Sequence, residues 1–139
     1  MINKNIAISS AILALSLALP VFAATSTVPS SAVVSCVATA VNTRETALVS
    51  GISAYAQSIQ SAYSTRASAL QQAYSTPSGV KAGVKVAWSA FRASMKSASQ
   101  TWRSAQKAAW SQFATAAKAC KAPASVTDTT NSSSEVSGQ

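Results

Sequence analysis

An all-α fold is predicted for this 139-residue chain: one long antiparallel hairpin of two helices, coiled-coil-like and closed by a single disulfide. Three observations predict it. The chain has two cysteines, Cys36 and Cys120. They lie almost symmetrically about the strongest turn signal of the central region, Ser75, Thr76, Pro77, Ser78 and Gly79. On each side of that turn runs a stretch of about forty residues with helical periodicity and no proline. Folding between Thr76 and Pro77 brings the two thiols together at the far end.

The first residues read as a leader rather than as part of the fold. Lys4 supplies a short charged start, Ile6 to Leu19 is an apolar run, and Val21 and Ala23 stand where a signal peptidase reads small residues. Residues 1–24 are therefore expected to be a signal peptide, cleaved near Ala23 or Ala24, and the protein to be exported to the periplasm or beyond. A retained anchor is the alternative, but no basic stop-transfer cluster follows the run. Export makes the cysteines a disulfide pair, since two thiols in an oxidising compartment form one bridge. The stretch Val33, Val34, Ser35, Cys36 loosely resembles a lipoprotein processing box; the polar residues 25–31 before it and the matched Cys120 argue against that use.

After a polar linker over 25–31, Ser30 or Ser31 can cap a first helix spanning about 32–74. Its large apolar residues are Val37, Val41, Leu48, Ile52, Ile59, Tyr63, Leu70 and Tyr74, spaced alternately by four and seven. Four plus seven is an eleven-residue period, which keeps a stripe nearly on one line. The segment Thr43, Arg44, x, x, Ala47, Leu48 recurs twenty-two residues later as Thr65, Arg66, x, x, Ala69, Leu70. Gly51 falls mid-helix, where it costs about 1 kcal/mol relative to alanine.

Thr76 reads as an N-cap with Pro77 at the first position of a second helix over 77–121. Its stripe is Val84, Trp88, Phe91, Met95, Ala98, Trp102, Ala105 and Ala109, then Phe113, Ala116 and Cys120. Here Ala87, Trp88, Ser89, x, Phe91 returns as Ala109, Trp110, Ser111, x, Phe113. The aromatic residues Tyr55, Tyr63, Tyr74, Trp88 and Trp102 are expected in the core. Antiparallel pairing about the turn sets Trp102 beside Ile52 and Tyr55, Phe91 beside Arg66, Met95 beside Ile59 and Tyr63, and Phe113 beside Val41. Residues 122–139, rich in Ser and Thr, are expected to be a disordered tail. Two helices bury one side each, so a disulfide that closes a loop of this length matters; it contributes on the order of 4 kcal/mol.

The charge balance points to partners. Eleven basic residues face three acidic ones, Glu45, Asp128 and Glu135. Eight cations lie on the second helix: Lys81, Lys85, Arg92, Lys96, Arg103, Lys107, Lys118 and Lys121. From Lys85 to Lys107 the spacings are seven, four, seven and four, a narrow band beside the apolar stripe, and at 100° per residue Trp110 falls within it. Lys85, Arg92, Lys96, Arg103, Lys107 and Trp110 are thus the candidate sites for a polyanion. The plainer reading is a solvated helix face, but such faces usually mix both signs to gain i,i+4 pairs, and this one has no acid.

Catalytic chemistry has little to work with. There is no histidine, and Glu45 is the sole acid of the helical region. The cysteines are not spaced as a CxxC redox pair. A general acid–base pair, a Ser-His-Asp arrangement or a metal cluster needs side chains that this region lacks. No enzyme activity, cofactor or metal is expected.

The repeated TRxxAL segments, Thr43 to Leu48 and Thr65 to Leu70, together with Ala109 and Trp110, resemble those of small exported alanine-rich helical hairpins. The resemblance covers roughly residues 36–120 and implies the fold without an activity. Two functions are expected: an exported binding module whose basic helix takes a polyanion (DNA, anionic lipid or cell-wall polymer) without sequence readout, or a structural element of the envelope that self-associates into a helical bundle.

Overall fold

The computed structural model describes residues 28–136. The expected signal peptide and residues 25–27 of the linker that follows it lie outside these residues. Two long helices, α1 (Ser31–Tyr74) and α2 (Val80–Ala119), pack along their whole length as an antiparallel hairpin, and a short α3 (Ser132–Val136) follows. No strand occurs among the described residues, and no helix there is long and apolar enough to cross a membrane.

Ser30 caps α1 as its sequence position suggests: its hydroxyl accepts from the Val33 N–H at 3.4 Å. Inside the helix, Thr39, Thr43, Thr46, Ser53 and Ser58 donate to the carbonyl four residues back, so a Ser/Thr-rich surface leaves few hydroxyls to compete with the helix. Pro77 does not open α2 directly. Pro77–Gly79 forms a 3₁₀ turn, the Thr76 side chain makes no capping bond, and the α-helix starts at Val80. The tighter turn lets the chain reverse within a few residues.

Cys36 and Cys120 are bonded, with Cα atoms 5.8 Å apart. Between turn and disulfide, the seam of α1 repeats every eleven residues. One row is aliphatic: Val37, Leu48, Ile59 and Leu70. A second is small: Ala40, Gly51, Ala62 and Ala73. A third is Arg44, Tyr55 and Arg66. On α2 the matching rows are Ala87, Ala98, Ala109 and Cys120, and Phe91, Trp102 and Phe113. The predicted register holds where Trp102 meets Tyr55 and where Phe91 meets Arg66. Tyr55 stacks with Trp102 at 6.5 Å, and Tyr63 meets Phe91 edge-on at 5.0 Å. The guanidinium of Arg66 lies 4.3 Å from the Phe91 ring centre.

Two details of the stripe change. Ile52, Tyr63 and Tyr74, assigned to the seam by their size, stand at its edge and remain exposed; the small row one residue earlier takes the central place because it lets the helix backbones approach. Gly51 is part of that row rather than a weak point: a Cβ there would sit 2.8 Å from Trp102 Cζ3, inside van der Waals contact. Gly83 does the same near the turn, where a Cβ would come within 2.7 Å of the Ala73 Cβ.

The segment from 122 onward, expected to be disordered, folds back onto the hairpin as far as Val136. The reversal begins at Lys121, which adopts a left-handed φ of 56°. Its N–H donates to the Lys118 carbonyl, and the N–H of Ala122 donates to that of Ala117. These two bonds are the Schellman closure of a helix end, with Ala122 set against the apolar cluster that also holds Ala117 and Val136. Composition alone did not reveal this, because the segment has too little apolar content to fold by itself and is ordered by what it covers.

Candidate functional site

The described residues carry two kinds of charged arrangement: a buried, ion-paired arginine at the disulfide end, and a line of exposed cations along α2 that reaches the same end at Lys107 and Lys118. At the disulfide end, Arg44 is buried, 6% exposed, between aromatic rings of α2. Its guanidinium carbon lies 4.1 Å from the Trp110 ring centre and 4.5 Å from that of Phe113, a cation–π arrangement. In-plane, Nη1 donates to Asp128 at 2.7 Å, and Nε and Nη2 donate to Glu45 Oε1. Asp128 raises the Arg44 pKa against the opposing effect of burial, and the same bond holds the Asp128 carboxyl below the usual carboxylate range. Glu135 accepts from the Trp110 indole N–H at 2.7 Å, and its backbone carbonyl accepts from Gln106. Gln106 is thereby satisfied although buried.

All three carboxylates of the chain are therefore gathered at one end, on Arg44 and Trp110. Their neighbours in sequence did not announce this. Asp128 and Glu135 sit in the stretch read as a tail, and Arg44 sits in a stripe read by its large apolar residues. The available signal was the pair of twenty-two-residue repeats: the arginine of one repeat lies on the Trp and Phe of the other.

The exposed face of α2 carries the second arrangement. Lys85, Arg92, Lys96, Arg103 and Lys107 are all exposed, and none is joined to a carboxylate among the described residues. They keep the same eleven-residue pitch as the core. Lys85, Lys96, Lys107 and Lys118 form one line, and Lys81, Arg92 and Arg103 form a second beside it. Each line repeats about every 16 Å at 1.5 Å per residue, and the two together give steps of about 6 and 10 Å.

Trp110, grouped with these cations from the sequence, does not join them. It is 7% exposed, and its indole N–H is already bonded to Glu135. The physical reason is the helical pitch. A straight helix turns about 100° per residue, whereas three turns in eleven residues give about 98°. Over the twenty-five residues from Lys85 to Trp110 the difference accumulates to about 45°, which carries Trp110 out of the cationic band and under the folded-back segment.

A second arginine–aromatic cluster lies toward the turn end of the hairpin. Arg66 is 4.5 Å from the Trp88 ring centre, 4.3 Å from that of Phe91 and 4.8 Å from that of Tyr63. Trp88 and Phe91 meet edge-on at 5.8 Å and 89°, while Trp110 and Phe113 meet at 5.8 Å and 82°. No group of three or more His, Cys, Asp or Glu that could hold a metal occurs among the described residues. An open apolar groove of about 530 Å³ beside the disulfide is lined by Thr39, Thr43, Arg44 and Phe113, among others, and its one charged group already has its partners. No protein-family model matches this chain, and neither a curated protein nor a solved structure was found to be similar to it.

Proposed function

We propose that this is a non-enzymatic, exported hairpin protein whose second helix binds a polyanion (DNA, anionic lipid or cell-wall polymer) without sequence specificity. One observation carries the reading: Lys85, Arg92, Lys96, Arg103 and Lys107 form an exposed ladder on α2, while the three acidic side chains, Glu45, Asp128 and Glu135, are engaged by Arg44 and Trp110. A cationic strip without intramolecular counter-charges keeps its potential for an external anion. Lysine and arginine heads at steps of about 6 and 10 Å suit backbone phosphates, which position a ligand and carry no sequence information.

Heparin and duplex DNA are suitable probes. Binding should weaken steeply with salt, by roughly one power of salt concentration for each phosphate contact. Replacing the five cations by glutamine should remove that slope and most of the affinity. Elution at ordinary salt with no steep dependence would sink the reading.

A second reading, self-association into a helical bundle, is favoured by the exposed row Ile52, Tyr63 and Tyr74 on α1. Large apolar side chains repeating every eleven residues on one edge are what a second hairpin would cover. Light scattering that gives a strict monomer at high concentration removes it.

A further inference from the structure

The two arginine–aromatic clusters are copies of one another, and only one is covered. In the first, Arg44 lies 4.1 and 4.5 Å from Trp110 and Phe113; in the second, Arg66 lies 4.5 and 4.3 Å from Trp88 and Phe91, and in both the two rings are 5.8 Å apart at nearly the same angle. The folded-back segment covers the first, bringing Asp128 to the guanidinium and Glu135 to the indole N–H. Nothing among the described residues covers the second. Trp88 is 40% exposed and Tyr63 is 49% exposed, and neither Arg66 nor the Trp88 indole has a hydrogen-bond partner there. Even the neighbouring acid is missing, since the position equivalent to Glu45 is Ala67.

We infer that the Arg66, Trp88, Phe91 and Tyr63 cluster is a docking site for an acidic peptide segment of another protein. The chain itself displays the chemistry of the occupant. At the first cluster it is a short, turn-rich segment with two carboxylates seven residues apart and an apolar residue, Val136, next to the second. One carboxylate meets a forked guanidinium that already stacks on aromatic rings, and the other accepts from an indole N–H. The second cluster offers the same donors on the same wall. A second copy of the chain is a poor supplier, because its own segment is held at its own first cluster by the adjoining helix end. A partner polypeptide with similarly spaced Asp or Glu residues is the fitting ligand. Lys85 and Arg92 flank Trp88 three residues before and four after it on α2, but the donors used here are the Arg66 guanidinium and the Trp88 indole, so the inference does not rest on polyanion binding.

The test uses the full disulfide-bonded chain, ¹⁵N-labelled, with the indole N–H signals of Trp88 and Trp110 as separate reporters. The probe is a synthetic peptide of residues 122–136, compared with the same peptide carrying Asp128→Asn and Glu135→Gln. The acidic peptide should shift the Trp88 signal saturably, and the neutral one should bind about tenfold more weakly or less, as the loss of charge-assisted bonds requires. Arg66→Gln should weaken binding to the same degree. Ala67→Glu, at an exposed position that leaves the packing intact, should do so as well by giving Arg66 an internal carboxylate. Equal binding of the two peptides, or undiminished binding to Ala67→Glu, would overturn the inference. So would loss of binding on neutralising the five ladder cations with Arg66→Gln unaffected; that result would leave the polyanion reading standing.

Discussion

Arg44 and Arg66 stand twenty-two residues apart on the same helix, and each lies over a Trp–Phe pair of the opposite helix. Local sequence, helix geometry and ring contacts are almost the same at the two places. Their surroundings differ. Around Arg44 the disulfide, the neighbouring Glu45 and the folded-back segment exclude water and supply carboxylates. Around Arg66 the described residues provide no adjacent acid and no covering segment, and the tryptophan is 40% exposed. A repeated packing unit is thus a buried structural joint at the disulfide end and an open surface nearer the turn. What lies outside the repeat decides which.

The difference can be broken first at the disulfide, where the largest effect is expected. Reduction, or a Cys36→Ser and Cys120→Ser variant, releases a crosslink spanning 84 residues and should remove about 4 kcal/mol or more of stability. The melting temperature should fall by well over 10 °C. An unchanged value in reductant would refute the locked hairpin. The Arg44 joint, which adjoins the crosslink, should loosen before the Arg66 cluster, as hydrogen exchange at the two tryptophan indoles can establish.

Next come the aromatic partners. Phe113 is 2% exposed, whereas Phe91 is only half-buried. Phe113→Ala should therefore cost about 3–4 kcal/mol and Phe91→Ala clearly less, measured by chemical denaturation. Equal costs would mean that the two clusters are equally buried in solution. The arginines follow. Arg44→Gln removes the partner of Asp128 and Glu45 and should cost about 1–2 kcal/mol, a value kept small because both carboxylates are partly exposed. Arg66→Gln should cost less than about 1 kcal/mol, so the pair of variants compares a paired guanidinium with an unpaired one.

The smallest effect is that of pH. The Asp128 carboxyl has a depressed pKa because Arg44 donates to it. Its contribution is complete above the ordinary aspartate value of about 4 and is lost as pH falls through the lower folded value. Arg44 has a raised pKa, so its own contribution is present throughout the acidic and neutral range and adds no titration there. The Asp128 side chain is well over a third exposed, and the effect should stay below about 1 kcal/mol. Acidification should therefore release the 122–136 segment and shift the Trp110 indole signal while leaving that of Trp88 in place. Trp88 moving in step with Trp110 would show that the two sites are not independent.

Much of the hairpin could be read from residues. The position of the turn between two cysteines fixed the register, and with it the meeting of Trp102 with Tyr55 and of Arg66 with Phe91. The eleven-residue period was present in the spacing of large side chains. Val37, Leu48, Ile59 and Leu70 keep their predicted places in the α1 seam, but the row of Ile52, Tyr63 and Tyr74 lies one residue off it, because large side chains mark the interior less well than the close approach at Gly51, Ala62 and Ala73. The cationic ladder was legible because its spacings are local to one helix. The burial of Trp110 was not, since it depends on the segment that brings Glu135 over it, while Trp88, its equivalent in the repeat, stays 40% exposed.

By itself the sequence determined what depends on local periodicity: two helices, their antiparallel register, the crosslink, and a basic face on α2. These follow from short-range geometry and from one turn that brings the cysteines together. Only the tertiary structure decided where the charges cancel. The segment after Lys121 has too few apolar groups to order itself, so its course is set by the helix end and the cluster it covers, through contacts eighty-four residues apart between Asp128 and Arg44. That long-range pairing sequesters all the acids at one end, leaving the ladder and the Arg66 cluster exposed.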